Sequence, residues 1–296
     1  MPKKSTDSLQ ELKKEFVEEM QEDPEHIQTK LILVIVANTN DPKIGKGCEV
    51  DINTIHQMFE DLSKQMNFNF IDLVIKGNDY GKENVLKTIE TIEPGPNDIV
   101  VFYYSGHGFS YEKDKNVVYP QIDLRTDPAN TEKDFIEHNT ENLSDIFIKV
   151  KDRGARLNIV IGDCCNTSIE YPRTFKGGSE KERKAIPPPK EVDKKLAEAL
   201  FCDLTASILV GAAERGQYAI SDDEIGSIFT HNFANHLKII LDKYTEQAVF
   251  DGVPWKKILN DTKEKTLALS KTYDIGGGTP GKQDAIIEIE SRISLY

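Results

Sequence analysis

Two short apolar runs in this sequence end on groups that can make and break bonds. Val100-Val101-Phe102-Tyr103-Tyr104 leads into Ser105-Gly106-His107-Gly108, and Ile159-Val160-Ile161 leads into Gly162-Asp163-Cys164-Cys165-Asn166. Runs of β-branched and aromatic residues that stop abruptly at small and polar ones predict two buried strands. Their carboxyl ends would present a histidine and a cysteine at one edge of a sheet. That pair is the minimum for covalent catalysis, a thiol nucleophile beside a group that takes and returns its proton. Side chains alternate along an extended chain, so Asp163 and Cys165 share one side while Cys164 turns the other way. Cys165 is therefore the expected nucleophile, and Cys164 a small core residue. His107 is the expected general base and acid, with Gly106 and Gly108 permitting close approach of backbone and substrate. The competing explanation is a structural histidine and a second core cysteine.

The elements needed to position these groups are legible around them. Leu31–Ala37, Phe70–Ile75, Asp98–Tyr104, Leu157–Gly162, Ser207–Ala212 and Ala285–Glu290 read as strands. Helices are expected over Val50–Met66, Glu83–Ile92, Asn142–Val150, Ile225–Tyr244 and Trp255–Lys271, with Ile52, Ile55, Met58, Phe59 and Leu62 forming one apolar face. Strands interleaved with helices predict an α/β fold, a doubly wound, mostly parallel sheet flanked by helices. Ligand sites in such sheets lie beyond the carboxyl strand ends, where His107 and Cys165 fall. Residues 1–28 form a charged N-terminal extension with a short amphipathic stretch at Leu9–Met20, either a solvated helix or a recruitment element. Residues 29–296 form the main domain. Tyr171–Lys195, rich in Lys, Arg and Pro without apolar periodicity, reads as an exposed linker loop.

Composition narrows the function classes. The chain has 38% hydrophobic and 29% charged residues and a net charge of −13. An acidic chain of this kind is a poor partner for phosphate backbones, so nucleic acid is not expected, and basic peptides are favoured. No apolar run is long enough for a membrane span. The basic N-terminus is not followed by an apolar segment, which predicts no secretory leader. Four cysteines, two of them adjacent, suit neither a disulfide framework nor a metal site, and a cytoplasmic location is expected. Gly276–Lys282 has phosphate-loop spacing but contains a proline, lacks the following Ser/Thr and leads into a strand, so it is rejected. His26, His56, His138, His231 and His236 lie in helical or loop segments and receive no chemical role.

The Tyr104-Ser105-Gly106-His107-Gly108 and Asp163-Cys164-Cys165-Asn166 motifs resemble those of the caspase-like cysteine peptidases. They are closer to metacaspases and prokaryotic relatives than to true caspases, whose Gln-Ala-Cys-x-Gly is missing. The separation of 58 positions from His107 to Cys165 suits that family, and the similarity runs from about Lys30 to the C-terminus. The resemblance implies a caspase-like fold and an oxyanion hole built from the backbone N–H groups of Gly108 and Cys165. It also implies an S1 pocket made of Asp51, Ser105 and Asp163. Asp51 lies in Gly47-Cys48-Glu49-Val50-Asp51, where Val50 replaces the family's asparagine. Buried carboxylates without a cation are expensive, and an entering Arg or Lys side chain would supply one. Specificity for basic P1 residues follows. For Asp51 the alternative is an acid stabilising a helix N-terminus.

Activation by proteolytic processing in the linker, at Arg173, Lys176, Lys181, Arg183 or Lys184, is one expectation, and a plain solvated charge run is the other. Gly211–Ala219 resembles the loop bordering the family's substrate groove. No cofactor is required by the sequence, although Ca2+ at Asp123, Asp127 and Asp134 is left open by the resemblance. Expected partners are proteins or peptides with exposed Arg or Lys, and an activating protease. The alternative from another class is a catalytically silent caspase-like scaffold or regulatory binding module.

Overall fold

The computed structural model describes residues 28–127, 130–168, 176–177, 186–243 and 254–291. Six strands make the central sheet: β1 (Lys30–Ala37), β2 (Asn69–Lys76), β3 (Ile99–Ser105), β4 (Leu157–Asp163), β5 (Ala206–Gly211) and β6 (Ile286–Ser291). Their spatial order is β2-β1-β3-β4-β5-β6. The first five are mutually parallel, whereas β6 closes the sheet antiparallel to β5. The helices are α1 (Gly45–Met66), α2 (Lys82–Thr91), α3 (Lys133–His138), α4 (Leu143–Lys151), α5 (Lys194–Phe201), α6 (Ile228–Leu241) and α7 (Pro254–Ser270). The expected α/β sheet with helices on both faces is present.

Every residue of β3 and β4 is buried, which explains why their sequences are largely apolar rather than alternating, with Asn158, Ser105 and Asp163 the buried polar exceptions. Alternate side chains feed two cores. Leu31, Leu33, Ile35, Val101 and Ile159 face α1, α5, α6 and α7. Ile32, Val34, Phe102, Tyr104 and Val160 face α2 and α4. Trp255 on α7 anchors the thicker layer: it is fully buried, meets Phe201 edge-on at 5.4 Å and donates its indole N–H to the Leu200 carbonyl at 2.9 Å.

The structure differs from the sequence reading in four places. Helix α1 begins at Gly45, five residues before the expected start, because Asp41 organises the turn ahead of it. The Asp41 side chain accepts from the Lys43 and Ile44 N–H groups, and its carbonyl accepts from Gly45. A small three-stranded sheet (Gly108–Phe109, Gln121–Asp123, Thr140–Asn142) follows β3; its strands are too short to leave a periodicity. Helix α5 occupies residues placed at the end of the linker and beyond it. The linker itself is only partly described, and its described C-terminal part is not a free loop. There Pro189 is buried and its carbonyl accepts from Gln65, and Val192 is 4% exposed in the core. The expected helix at Leu9–Met20 lies outside the described residues. No described helix is long and apolar enough to cross a membrane.

Candidate active site

Register places the two chemical groups. Ser105 and Asp163, the last residues of β3 and β4, stand opposite each other, and each chain runs two residues further, to His107 and Cys165. The segments stay together beyond the sheet. Gly106 donates to the Asp163 carbonyl at 3.4 Å and Ser110 to that of Thr167 at 2.7 Å. Gly108 is required by this approach, since a Cβ there would stand 2.4 Å from Cys164 Sγ and 2.6 Å from the Cys165 carbonyl oxygen. Cys164 is buried at 1% exposure in the core, and Cys165 keeps part of its surface open, as alternation predicts.

The Cys165 sulfur is held by Ala219, accepting from its N–H at 3.4 Å and lying 3.7 Å from its carbonyl oxygen. Burial pushes the thiol up to about 11, with the Asp163 charge adding to the shift and the Ala219 N–H opposing it. The resting group is a neutral thiol. The Gly211–Ala219 segment thus borders the cysteine, fastened by Asn166 N–H to the Gln217 carbonyl and Gly216 N–H to the Asn166 carbonyl.

His107 is pinned through its backbone and its ring. Its carbonyl accepts from Asp123 N–H at 3.0 Å and from the Tyr104 hydroxyl at 2.6 Å. Its Nε2 lies 3.0 Å from Asp41 Oδ2. Among the described residues no hydrogen bond joins His107 to Cys165. Asp41 was not singled out from the sequence, although Asn38-Thr39-Asn40-Asp41 is a polar run off β1 at the same edge. Burial works to raise the Asp41 carboxyl, but hydrogen bonds from His107, Lys43 and Ile44 outweigh it and hold the group at about 2. The strand order reverses between β1 and β3, and sheets of this kind bind ligands at such a switch point. A cavity of about 240 Å³ opens beside Asp41, lined also by Asn38, Asn40, Tyr80 and Arg125.

Next to Cys165 lies a pair of buried acids. Asp51, 1% exposed, accepts from Ser105 Oγ at 2.7 Å and from Ser227 N–H at 2.8 Å. It sits inside α1, which begins at Gly45, so the helix N-terminal alternative for this residue is overturned. Asp163, 4% exposed, accepts through Oδ2 from Thr230 Oγ1 at 2.6 Å and Thr230 N–H at 3.2 Å; the Ser227 side chain also acts on this carboxyl, and among the described residues no hydrogen bond of good geometry reaches Oδ1. Burial raises Asp163 to about 6. Burial and then the Asp163 charge push Asp51 well above the usual carboxylate range. Among the described residues no ion pair reaches either acid.

The remaining predicted residues are dispersed. Arg173, Lys181, Arg183 and Lys184 lie outside the described residues, and Lys176 is in a two-residue strand paired with Tyr273–Asp274. Asp123 is held by the Arg125 guanidinium at 2.8 and 2.6 Å. Among the described residues no group of three or more His, Cys, Asp or Glu could hold a metal. His56 bonds Asp72 at 3.1 Å, and His138 and His236 bond carbonyls one helical turn back.

The family model described as caspase domain matches residues 29–264. Metacaspase-1 of Debaryomyces hansenii is 27% identical over 165 residues, covering 49% of this chain and 34% of that protein. Metacaspase-1 of Candida glabrata is 25% identical over 164 residues, covering 49% of this chain and 39% of that protein. The aligned region spans well under half the length of these curated relatives. Strand order, the placement of histidine and cysteine off adjacent parallel strands, and the extent of the family match agree, and the chain belongs to the caspase-domain family of peptidases.

Proposed function

We propose that the chain is a cysteine endopeptidase cleaving peptide bonds after Arg or Lys, with Cys165 as nucleophile and His107 as base and acid. The observation that carries the specificity is the buried pair Asp51 and Asp163, which no ion pair reaches among the described residues and whose partners are neutral hydroxyl and backbone N–H groups. Isolating carboxylates from water is costly unless a counter-charge arrives. A P1 guanidinium or ammonium entering beside Cys165 supplies it, with Ser105 orienting Asp51. Aspartate at P1 would meet two acids instead.

In the reaction His107 takes the Cys165 proton as sulfur attacks the scissile carbonyl. The C–N bond breaks with His107 returning that proton to the departing amine, and water, deprotonated by His107, then hydrolyses the thioester. The backbone N–H groups of Gly108 and Cys165 are assigned to the developing oxyanion, where one such donor supplies about 3–4 kcal/mol. Because the resting thiol is neutral and bonded to Ala219, substrate must displace the Ala219 contact before proton transfer; catalytic hydrogen bonds commonly tighten only in the substrate complex. That same resting geometry favours the second reading, a catalytically silent scaffold.

Processing within residues 171–195 and a cytoplasmic setting remain part of this proposal, which requires no cofactor and leaves Ca2+ to the assay. The purified protein, on peptides ending in Arg, Lys or Asp, with and without Ca2+ and beside Cys165→Ala, tests it. Cleavage after Arg or Lys that is lost in Cys165→Ala is expected. Cleavage after Asp would overturn the pocket assignment, and inactivity before and after nicking the linker would favour the scaffold.

A further inference from the structure

We infer that Asp41 is a positioning residue that locks the His107 ring in one tautomer, leaving Nδ1 as the basic nitrogen, so that the site works as a Cys–His–Asp arrangement. The inference rests on the proposed role of His107 as base. An ionised carboxylate only accepts, so the 3.0 Å contact between Asp41 Oδ2 and His107 Nε2 requires a hydrogen on Nε2. A neutral ring then has its lone pair on Nδ1.

Both partners are held independently of each other. Asp41, 9% exposed, has its other oxygen, Oδ1, fixed by the N–H groups of Lys43 at 2.8 Å and Ile44 at 3.1 Å. The His107 carbonyl is fixed by Asp123 N–H and Tyr104. A base oriented by a third group is the general logic of activated nucleophiles. Here the third group comes from the loop after β1, across the switch point from the histidine.

The division of labour between the two Asp41 oxygens sets the test. In Asp41→Asn the amide oxygen must keep accepting from Lys43 and Ile44, since its NH2 cannot. The NH2 is then turned toward Nε2 and donates to it, which forces the hydrogen onto Nδ1 and leaves no base for the thiol. Asp41→Ala removes the lock without imposing the wrong tautomer.

The full chain labelled with 15N-histidine reports the tautomer in long-range 1H–15N spectra at a pH that keeps the ring neutral, with His107→Gln identifying the signal. Wild type is expected to show protonated Nε2 and bare Nδ1, and Asp41→Asn the reverse. On an Arg peptide, kcat is expected to fall about 10²–10⁴-fold in Asp41→Asn, as for enforced wrong tautomers elsewhere. KM should stay within about threefold, and the loss in Asp41→Ala should be smaller. An unchanged tautomer in Asp41→Asn, or a kcat equal to wild type, overturns the inference. If wild type cleaves nothing while the tautomer reverses as described, the lock stands and the peptidase proposal falls.

Discussion

Replacing Asp163 by asparagine should make the protein more stable and nearly inactive at once. Burial raises this carboxyl from 3.8 to about 6, and each pKa unit is worth about 1.4 kcal/mol. The native state binds more protons than the unfolded chain between those values, so stability falls as pH rises through this window. Above about pH 6 the full cost is present, about 3 kcal/mol. The substituted amide keeps an oxygen for Thr230 Oγ1 and N–H but as a weaker, uncharged acceptor, which returns about 1 kcal/mol of the gain. The net stabilisation of about 2 kcal/mol corresponds to a Tm rise of about 3–4 °C for a domain of this size. The difference should shrink toward zero by about pH 4, where Asp163 is increasingly protonated in both states. Activity on an Arg peptide should fall about 10²–10³-fold in kcat/KM, the worth of one buried ionic contact. Thermal scans at about pH 7.5 and about pH 4, beside peptide hydrolysis, check both halves. An Asp163→Asn protein that melts below wild type at both pH values would refute the reasoning, because the carboxylate would then be a stabilising group and not a site awaiting a cation.

Benzamidine, an aromatic cation, should bind more tightly as pH rises from about 5 to 7, approaching tenfold per unit where one proton leaves the Asp51/Asp163 pair on binding; flat calorimetric titrations across that range would contradict the pocket. Gly108→Ala drives a methyl into Cys164 Sγ and the Cys165 carbonyl, which should cost about 1–3 kcal/mol, read as a lower Tm, and should depress activity further by moving Cys165. Trp255→Ala removes a fully buried ring and its bond to Leu200; a loss of about 3–5 kcal/mol should appear in thermal scans followed by circular dichroism, with Cys165 alkylation below the transition unchanged in rate.

Much of the fold was legible because buried parallel strands have a sequence form of their own. β3 and β4 are largely apolar runs that give way to small and polar residues at their carboxyl ends, and those ends delivered His107 and Cys165 without any knowledge of the neighbours. Alternation alone separated Cys164 from Cys165. Helix α5 and the three-stranded sheet were missed because eight residues, or three, are too few to establish a period. The direction of β6 was hidden because an edge strand reads alike in either orientation.

The chain's residue types and their spacing determined that a histidine and a cysteine end two strands, and that acids stand near them. Only the tertiary structure gave those acids their different electrostatic environments. Asp51, Asp163 and Asp41 are equivalent as letters. Packing between α1 and the sheet strips water from Asp51 and Asp163 and so raises both, and the Asp163 charge raises Asp51 further. The turn after β1 surrounds Asp41 with three donors from His107, Lys43 and Ile44 and lowers it. A carboxylate's role is set by the groups within hydrogen-bonding reach and by its distance from water, and both are fixed by contacts between segments far apart in the chain.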